Sequence, residues 1–223
     1  TYKKKFRSQN KTLLRINKFS ELEINEEYQS KLYNKFCELL DKTDLIILSD
    51  FNYGVLTKKM IEKIILKAQE EKKLIIADSQ TSSQLGNVLK YKDITLITPT
   101  EYEARISLKD KSSGLAQVAE KLINKTNTEN LIITLGSKGV YIQRSKNQKG
   151  SWLSDQMPAF NINSIDNAGA GDALLVSTGL AMSAGSNIWE ASFLGSLVAA
   201  YQVSYIGNHP LSFDEIIDDL KST

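Results

Sequence analysis

The 223-residue sequence holds a single cysteine, Cys37, and a single histidine, His209. One cysteine excludes an internal disulfide and any cysteine-rich metal centre; its place in an amphipathic pattern marks it as a core or near-core thiol. One histidine cannot build the paired-histidine helix of a zinc peptidase, and no G-x-S-x-G accompanies it for a serine hydrolase. His209 beside Pro210 reads as a surface-loop residue. No apolar run reaches the length of a membrane span, and the first residues are not a signal peptide, so the expected location is cytoplasmic. Charge of one sign is also lacking: 28 Lys+Arg against 26 Asp+Glu give a net +2, spread along the chain. That argues against a nucleic-acid partner, and the one basic cluster, Lys3 to Lys5 with Arg7, reads as a solvated strand edge. Two nucleotide signatures are missing as well. There is no G-x-x-x-x-G-K-[ST], and no G-x-G-x-x-G follows the first strand.

What is present is an ordinary composition for one folded domain, 41% hydrophobic and 24% charged. The chain starts at Thr1 without an initiator Met and reads as a piece of something longer. Residues 1–17 predict a β-hairpin, with strands Lys3–Arg7 and Thr12–Asn17 and too little apolar content to stand alone. Residues 26–40 predict a helix with Tyr28, Leu32, Phe36, Leu39 and Leu40 inward. Wholly apolar runs then alternate with amphipathic helices. The runs are 45–48, 74–77, 95–98 and 131–134; the helices start near Thr57 and span 114–125. This rhythm predicts a parallel sheet covered on both faces. Ligands of such sheets bind beyond the carboxyl ends of the strands, and those ends are polar here: Ser49-Asp50, Asp78-Ser79, Thr98-Pro99-Thr100 and Thr134-Leu135-Gly136. Further on, Val140–Gln143 predicts a strand, Trp152-Leu153 and Ala159–Ile162 short extended pieces, and 187–203 and 213–220 helices.

The segment Asp166-Asn167-Ala168-Gly169-Ala170-Gly171-Asp172 stands out. Glycines let a backbone approach a ligand closely, and the helix start that follows offers unpaired N–H groups and a positive dipole end, so the segment suits an anion. Asp172 beside that anion could remove a proton; it could equally be a helix-capping aspartate. Thr134-Leu-Gly-Ser-Lys-Gly139 joins two strands and reads either as a phosphate-holding turn or as a plain hairpin turn. Pro99-Thr100-Glu101-Tyr102-Glu103 carries carboxylates that an acidic first helical turn would explain as well.

Taken together and in order, these three stretches resemble the D-T-x-G-A-G-D, T-L-G-x-x-G and P-N-x-x-E elements of the ribokinase-like (PfkB) carbohydrate kinases. The resemblance runs from residue 1 to about residue 210. Thr1-Tyr-Lys-Lys-Lys5 and Ser49-Asp-Phe-Asn-Tyr-Gly54 are similar to the T-x-K-x-R and S-D-Y-x-x-G elements of the kinase domain in bifunctional heptose-phosphate kinase/adenylyltransferases. The fold so implied is α/β, a doubly wound and mostly parallel sheet with helices on both faces, plus an N-terminal hairpin from the lid region. Residues 1–223 would form the C-terminal portion of one kinase domain, with residues 1–17 at the lid edge and 26–223 as the core.

The resemblance implies phosphoryl transfer from ATP with Mg²⁺ to a hydroxyl of a sugar or sugar phosphate, possible acceptors including the anomeric hydroxyl of a heptose phosphate. Asp172 would be the base, and the amides of Gly169, Ala170 and Gly171 an anion hole. Thr134 and Gly136 would hold the nucleotide phosphates on a turn shaped by Gly139, and Ser196, Ala199 and Asn208 would line the adenine pocket. Glu103 would help hold Mg²⁺ through water, the backbone at Asp166 a monovalent cation such as K⁺, and Asp50 would face the sugar. A homodimer and a fused adenylyltransferase domain outside this chain are further implied partners. The departures are Asn167 for Thr, Thr100 for Asn, Asp78-Ser79-Gln80 for Asp-Pro-Lys, Lys5 for Arg, and the lack of a G-G-N-type sugar-binding section. They favour an alternative in which a degenerate relative binds nucleotide or sugar phosphate without catalysis. They also predict that residues 1–223 alone turn over poorly.

Overall fold

In the computed structural model, described for residues 2–8, 11–18, 22–79, 87–146, 153–161, 164–207 and 211–222, two strands open the chain. β1 (Tyr2–Ser8) pairs antiparallel with β2 (Lys11–Lys18) in a sheet of their own. The expected hairpin is thus present and one residue longer at each strand end. Its register puts Tyr2, Phe6, Leu14 and Ile16 on one side, and all four are exposed.

α1 (Glu26–Leu40) starts at Asn25, whose side chain accepts from the Tyr28 amide at 3.0 Å. Its buried stripe differs from the expected one. Tyr28, Leu32 and Leu39 are exposed, while Leu40 is buried and Tyr33 and Phe36 pack on the core. The cause is that α1 carries more apolar residues than one stripe can bury. The neighbour decides, and Tyr33 lies under the Lys63 ammonium of α2 (Lys58–Glu70), 5.5 Å from the ring centroid.

The main sheet runs β3 (Leu45–Asp50), β4 (Leu74–Ser79), β5 (Leu96–Ile97), β6 (Asn130–Thr134), β7 (Val140–Arg144) and β8 (Ser154–Met157), in that spatial order. The first four are parallel and the last two antiparallel. β5 is shorter than the expected 95–98, yet Thr95 N–H donates to Ile75 O at 2.9 Å and Thr98 N–H to Ala77 O at 3.2 Å. The ladder therefore covers the whole expected run. β8 forms between the two extended pieces expected around it, because its polar Ser-Asp-Gln-Met pairs through backbone alone and gives no apolar signal. Trp152 and Ile162 lie outside the described residues.

Side chains alternate across the strands and so sort into two layers. Ile46, Leu48, Ile75, Ala77, Leu131 and Ile133 face α1, α2, α3 (Glu101–Leu108) and α4 (Leu115–Thr126). Ile76, Leu96, Ile132, Val140 and Ile142 face α5 (Ala170–Ser183) and α6 (Ile188–Gln202), with Leu45 and Ile47 packed alongside. Helices cover both faces as expected. α7 (Phe213–Ser222) closes the chain. No helix among the described residues is long and apolar enough to cross a membrane.

Candidate active site

The alternation that buries the core also sets the chemistry at the strand ends. Continued two residues beyond Ile47, Ile76 and Leu96, it places Ser49, Asp78 and Thr98 in one polar row on the α5 face, and two beyond Ile132 it places Thr134 on the same face but one step farther along, level with Thr100. Thr98 is 5% exposed and its hydroxyl has no hydrogen-bond partner among the described residues.

The loop that leads onto this row is tied down at its first residue. Asp166 accepts from the Ala168 amide on one carboxylate oxygen and from the Gly207 amide on the other, both at 3.1 Å. The amides of Ile165 and Asp166 donate to Val203 O beyond α6. Gly169 then adopts φ 82°, a left-handed conformation that a side chain disfavours, and α5 begins at Ala170. Gly169 is the N-cap, without a side-chain cap, so Asp172 is not the capping residue; it is third in the helix, where the dipole favours its charge. The Ala170 amide already reaches Asn167 O at 3.4 Å. A Cβ on Gly171 would meet nothing within 4 Å, so there is open space beside the chain at this position.

The orientation of α5 follows from Gly179. A Cβ there would lie 2.3 Å from Ile76 Cδ1 and 3.0 Å from Leu45 Cδ2, so this side of α5 faces β3 and β4. Asp172 lies two turns earlier on the same side, about 10 Å nearer the helix start. Leu45 begins β3, whereas Ala170 shares a cavity with Thr134 at the end of β6. α5 therefore runs antiparallel to the strands, and Asp172 overlies the carboxyl ends of β3 and β4, where Ser49 and Asp78 stand. Ala170 and Leu174 turn the other way, into a cavity of about 640 Å³.

That cavity gathers several of the residues singled out from sequence. Thr134 and Gly136 form one wall, held by Thr134 N–H to Pro99 O at 2.9 Å and Leu135 N–H to Gly139 O at 2.8 Å. Gly136 has φ 60° with open space where a Cβ would be. Ser196 and Ala199 of α6 line the same cavity. Ser196 is 8% exposed and its buried hydroxyl has no partner among the described residues. Asn208 lies outside the described residues.

Glu103 and Asp50 are placed apart from the cavity. Glu103 is 7% exposed and caps α3: its Oε2 accepts from both the amide and the hydroxyl of Thr100 at 2.8 Å. Thr100, Glu101 and Tyr102 reach the cavity instead. Asp50 is on the face opposite α5, where the Lys90 ammonium, the Tyr91 hydroxyl and the Asn52 amide bind its carboxylate. Among the described residues no group of three or more His, Cys, Asp or Glu is set to hold a metal ion.

Sequence reasoning missed the third wall, Pro158 to Asn161. It follows a polar strand and carries no motif. The close approach of Gly139 is what puts it there: a Cβ would lie 2.0 Å from Met157 O and 2.5 Å from Pro158 C.

Comparison with known proteins places the chain in a family and a fold. Residues 5–212 match the family model for pfkB family carbohydrate kinases. The bifunctional protein HldE of Nitratiruptor sp. is 27% identical over 219 residues, covering 97% of this chain and 44% of that protein. The chain thus spans less than half of this curated relative. Among solved structures, phosphofructokinase-2 from Escherichia coli in complex with potassium superposes with TM-score 0.72 at 18% identity, covering 88% of this chain and 62% of that one. Arabidopsis thaliana ribokinase complexed with ribose and ATP gives TM-score 0.67 at 16% identity, covering 91% and 61%. At these identities the two structures establish a shared ribokinase-like fold.

Proposed function

The chain belongs to the pfkB family of carbohydrate kinases, and from that premise we propose that it carries the nucleotide site and catalytic base of an ATP-dependent sugar kinase. One observation supports this above the others. The start of α5 divides a half-open cavity, on the side of Ala170 and Leu174, from Asp172 over the ends of β3 and β4. A nucleotide in the cavity and an acceptor above the strand ends would meet at the helix start.

Each group has a defined task in this reading. Thr134 and Gly136 hold the nucleotide phosphates, with Ser196 and Ala199 farther along the cavity. The amides of Gly169, Ala170 and Gly171, with the α5 dipole, stabilise the charge on the transferring phosphoryl group. Asp172 takes the proton from the acceptor hydroxyl, so that the oxygen attacks phosphorus as ADP leaves. Mg²⁺ would neutralise phosphate charge. Glu103 sits behind its Thr100 cap, which suits contact through water. Carbonyls of the Asp166 turn would hold a monovalent cation, in line with the potassium named for the Escherichia coli structure. Asp50 acts on the sugar side by fixing the 50–52 loop through Lys90, and the heptose-type elements at 1–5 and 49–54 favour a heptose phosphate as acceptor.

The test is Asp172→Asn in the full-length protein. It should lower kcat by about 10²–10⁴ while ATP binding persists. A near-normal kcat refutes the assignment. A second reading, binding without catalysis, is favoured by the engagement of Glu103 in its cap. Wild-type protein that binds ATP yet phosphorylates no sugar or heptose phosphate would establish it.

A further inference from the structure

Two close approaches fix where α5 lies. Toward the sheet, Gly179 meets the side-chain ends of Ile76 and Leu45. Toward α6 the contact is of another kind. A Cβ on Gly195 would lie 2.1 Å from Thr178 Oγ1 and 3.0 Å from Leu174 O. Gly195 is buried within α6, and Thr178 is fully buried within α5. The bare face of Gly195 is thus a notch that receives the α5 backbone and the Thr178 hydroxyl.

This contact is steric. The hydroxyls of Thr178, Ser192 and Ser196 are buried without hydrogen-bond partners among the described residues, so they supply no bond that sets the helix spacing. The two notches also differ in how they can yield. At Gly179 the neighbours are the far ends of flexible side chains, which can turn aside. At Gly195 one neighbour is a backbone oxygen, which cannot turn, and the other belongs to a stiff β-branched side chain. Leu174 is four residues, about 6 Å, from Ala170, where α5 begins. Its side chain lines the same cavity as Ala170 and Gly171. A change of spacing at Leu174 is therefore carried by a single stiff turn to the helix start and to Asp172.

We propose that Gly195 is a positioning residue for phosphoryl transfer: its missing side chain sets the distance of α5 from α6, and so places the amides of Gly169 to Gly171 and the Asp172 carboxylate. This rests on the kinase reading above and adds to it what holds the helix start in register with the strand ends. A close C···O contact settles at a little over 3 Å, so a Cβ at Gly195 would part the two helices by about 1 Å. A misplacement of that size costs on the order of 10²-fold in rate.

The experiment assays the full-length protein with ATP and a heptose phosphate, well below the melting midpoint of each variant, and measures ATP binding by titration calorimetry. Gly195→Ala should lower kcat by about 10²-fold and change the ATP dissociation constant far less. Adding Thr178→Ala to it leaves only Leu174 O, at 3.0 Å, in the way and should recover most of the lost kcat. Wild-type kcat in Gly195→Ala overturns the inference. So does a fall in kcat that Thr178→Ala does not relieve, because the loss then comes from elsewhere than the notch. A loss confined to ATP affinity overturns it as well. If Gly195→Ala does not fold, Thr178→Val decides: a methyl in place of the hydroxyl should part the helices by less and still lower kcat, and an unchanged kcat overturns the inference. Wild-type protein that phosphorylates no sugar or sugar phosphate overturns the kinase reading and this inference with it, whereas an active wild type with an equally active Gly195→Ala overturns this inference alone.

Discussion

Gly139→Ala should damage the protein far more than Gly136→Ala, although both glycines sit in the same turn with positive φ. Gly139 has φ 89° and ψ −133°, a region open essentially to glycine, where another residue costs about 1–3 kcal/mol. An added Cβ would also lie 2.0 Å from Met157 O, 2.5 Å from Pro158 C and 2.7 Å from Ala159 N. All three atoms are backbone, so relief requires moving the end of β8, and overpacking of this kind adds about 1–3 kcal/mol. A sum near ~4 kcal/mol corresponds to a Tm drop of roughly 8–16 °C for a chain of this size. Gly136, at φ 60°, has nothing within 4 Å of its would-be Cβ. Alanine there carries only the left-handed penalty of about 1–2 kcal/mol, a drop of roughly 2–8 °C. Asparagine tolerates the left-handed region, so Gly136→Asn should be nearly silent while Gly139→Asn is as harmful as Ala. The assay is thermal melting by circular dichroism, with ATP titration on the folded variants, since a shifted 157–160 wall also reshapes the cavity. Equal Tm losses at the two positions would refute the reasoning.

Lys90→Met should destabilise by about 3–5 kcal/mol in urea titration, because it strands the Asp50 carboxylate, 4% exposed, without its cation. Adding Asp50→Asn to Lys90→Met should restore part of the loss. Asp110→Asn tests pH dependence. The Lys121 ammonium at 2.5 Å, helped by the amides of Ser113 and Ser112, holds the Asp110 carboxyl well below the usual carboxylate range. Its stabilisation is therefore present above the unfolded pKa of about 4 and is lost as pH falls below that value. The Asn variant should be less stable than wild type at pH 7 and should lose less on going to pH 3, measured by urea midpoints at both pH values.

The sheet and its layers were legible because apolar runs such as Leu45 to Leu48 and Leu131 to Ile133 have no other use than a strand buried on both faces. Helix starts at Thr57 and Asn187 were legible because each supplies a side-chain oxygen that the structure uses as a cap. The face of α1 was not, since Tyr28 and Leu39 are as apolar as Phe36 and only a neighbour can choose between them. At the site, glycine-rich spacing revealed the helix start and the Thr134–Gly139 turn. Spacing did not reveal which carboxylates face α5. That depends on strand register, which puts Asp78 on the α5 side and Asp50 on the other. Phe160 was invisible for a similar reason, as an aromatic residue in an irregular segment has no period to betray its direction.

The strand order from β3 to β8 has a consequence for how this protein is made. Each strand is laid beside the one synthesised just before it, so the sheet can grow steadily as the chain emerges. α5 and α6 then fold back across strands made much earlier, with Gly179 meeting Leu45. Such a long-range closure is the slow kind of contact. Until it happens, the strand ends carry no helix dipole, the cavity lacks a wall, and Asp172 is remote from Ser49 and Asp78. Binding competence therefore comes late and all at once, and a nucleotide that arrives afterwards stabilises the closed arrangement by mass action.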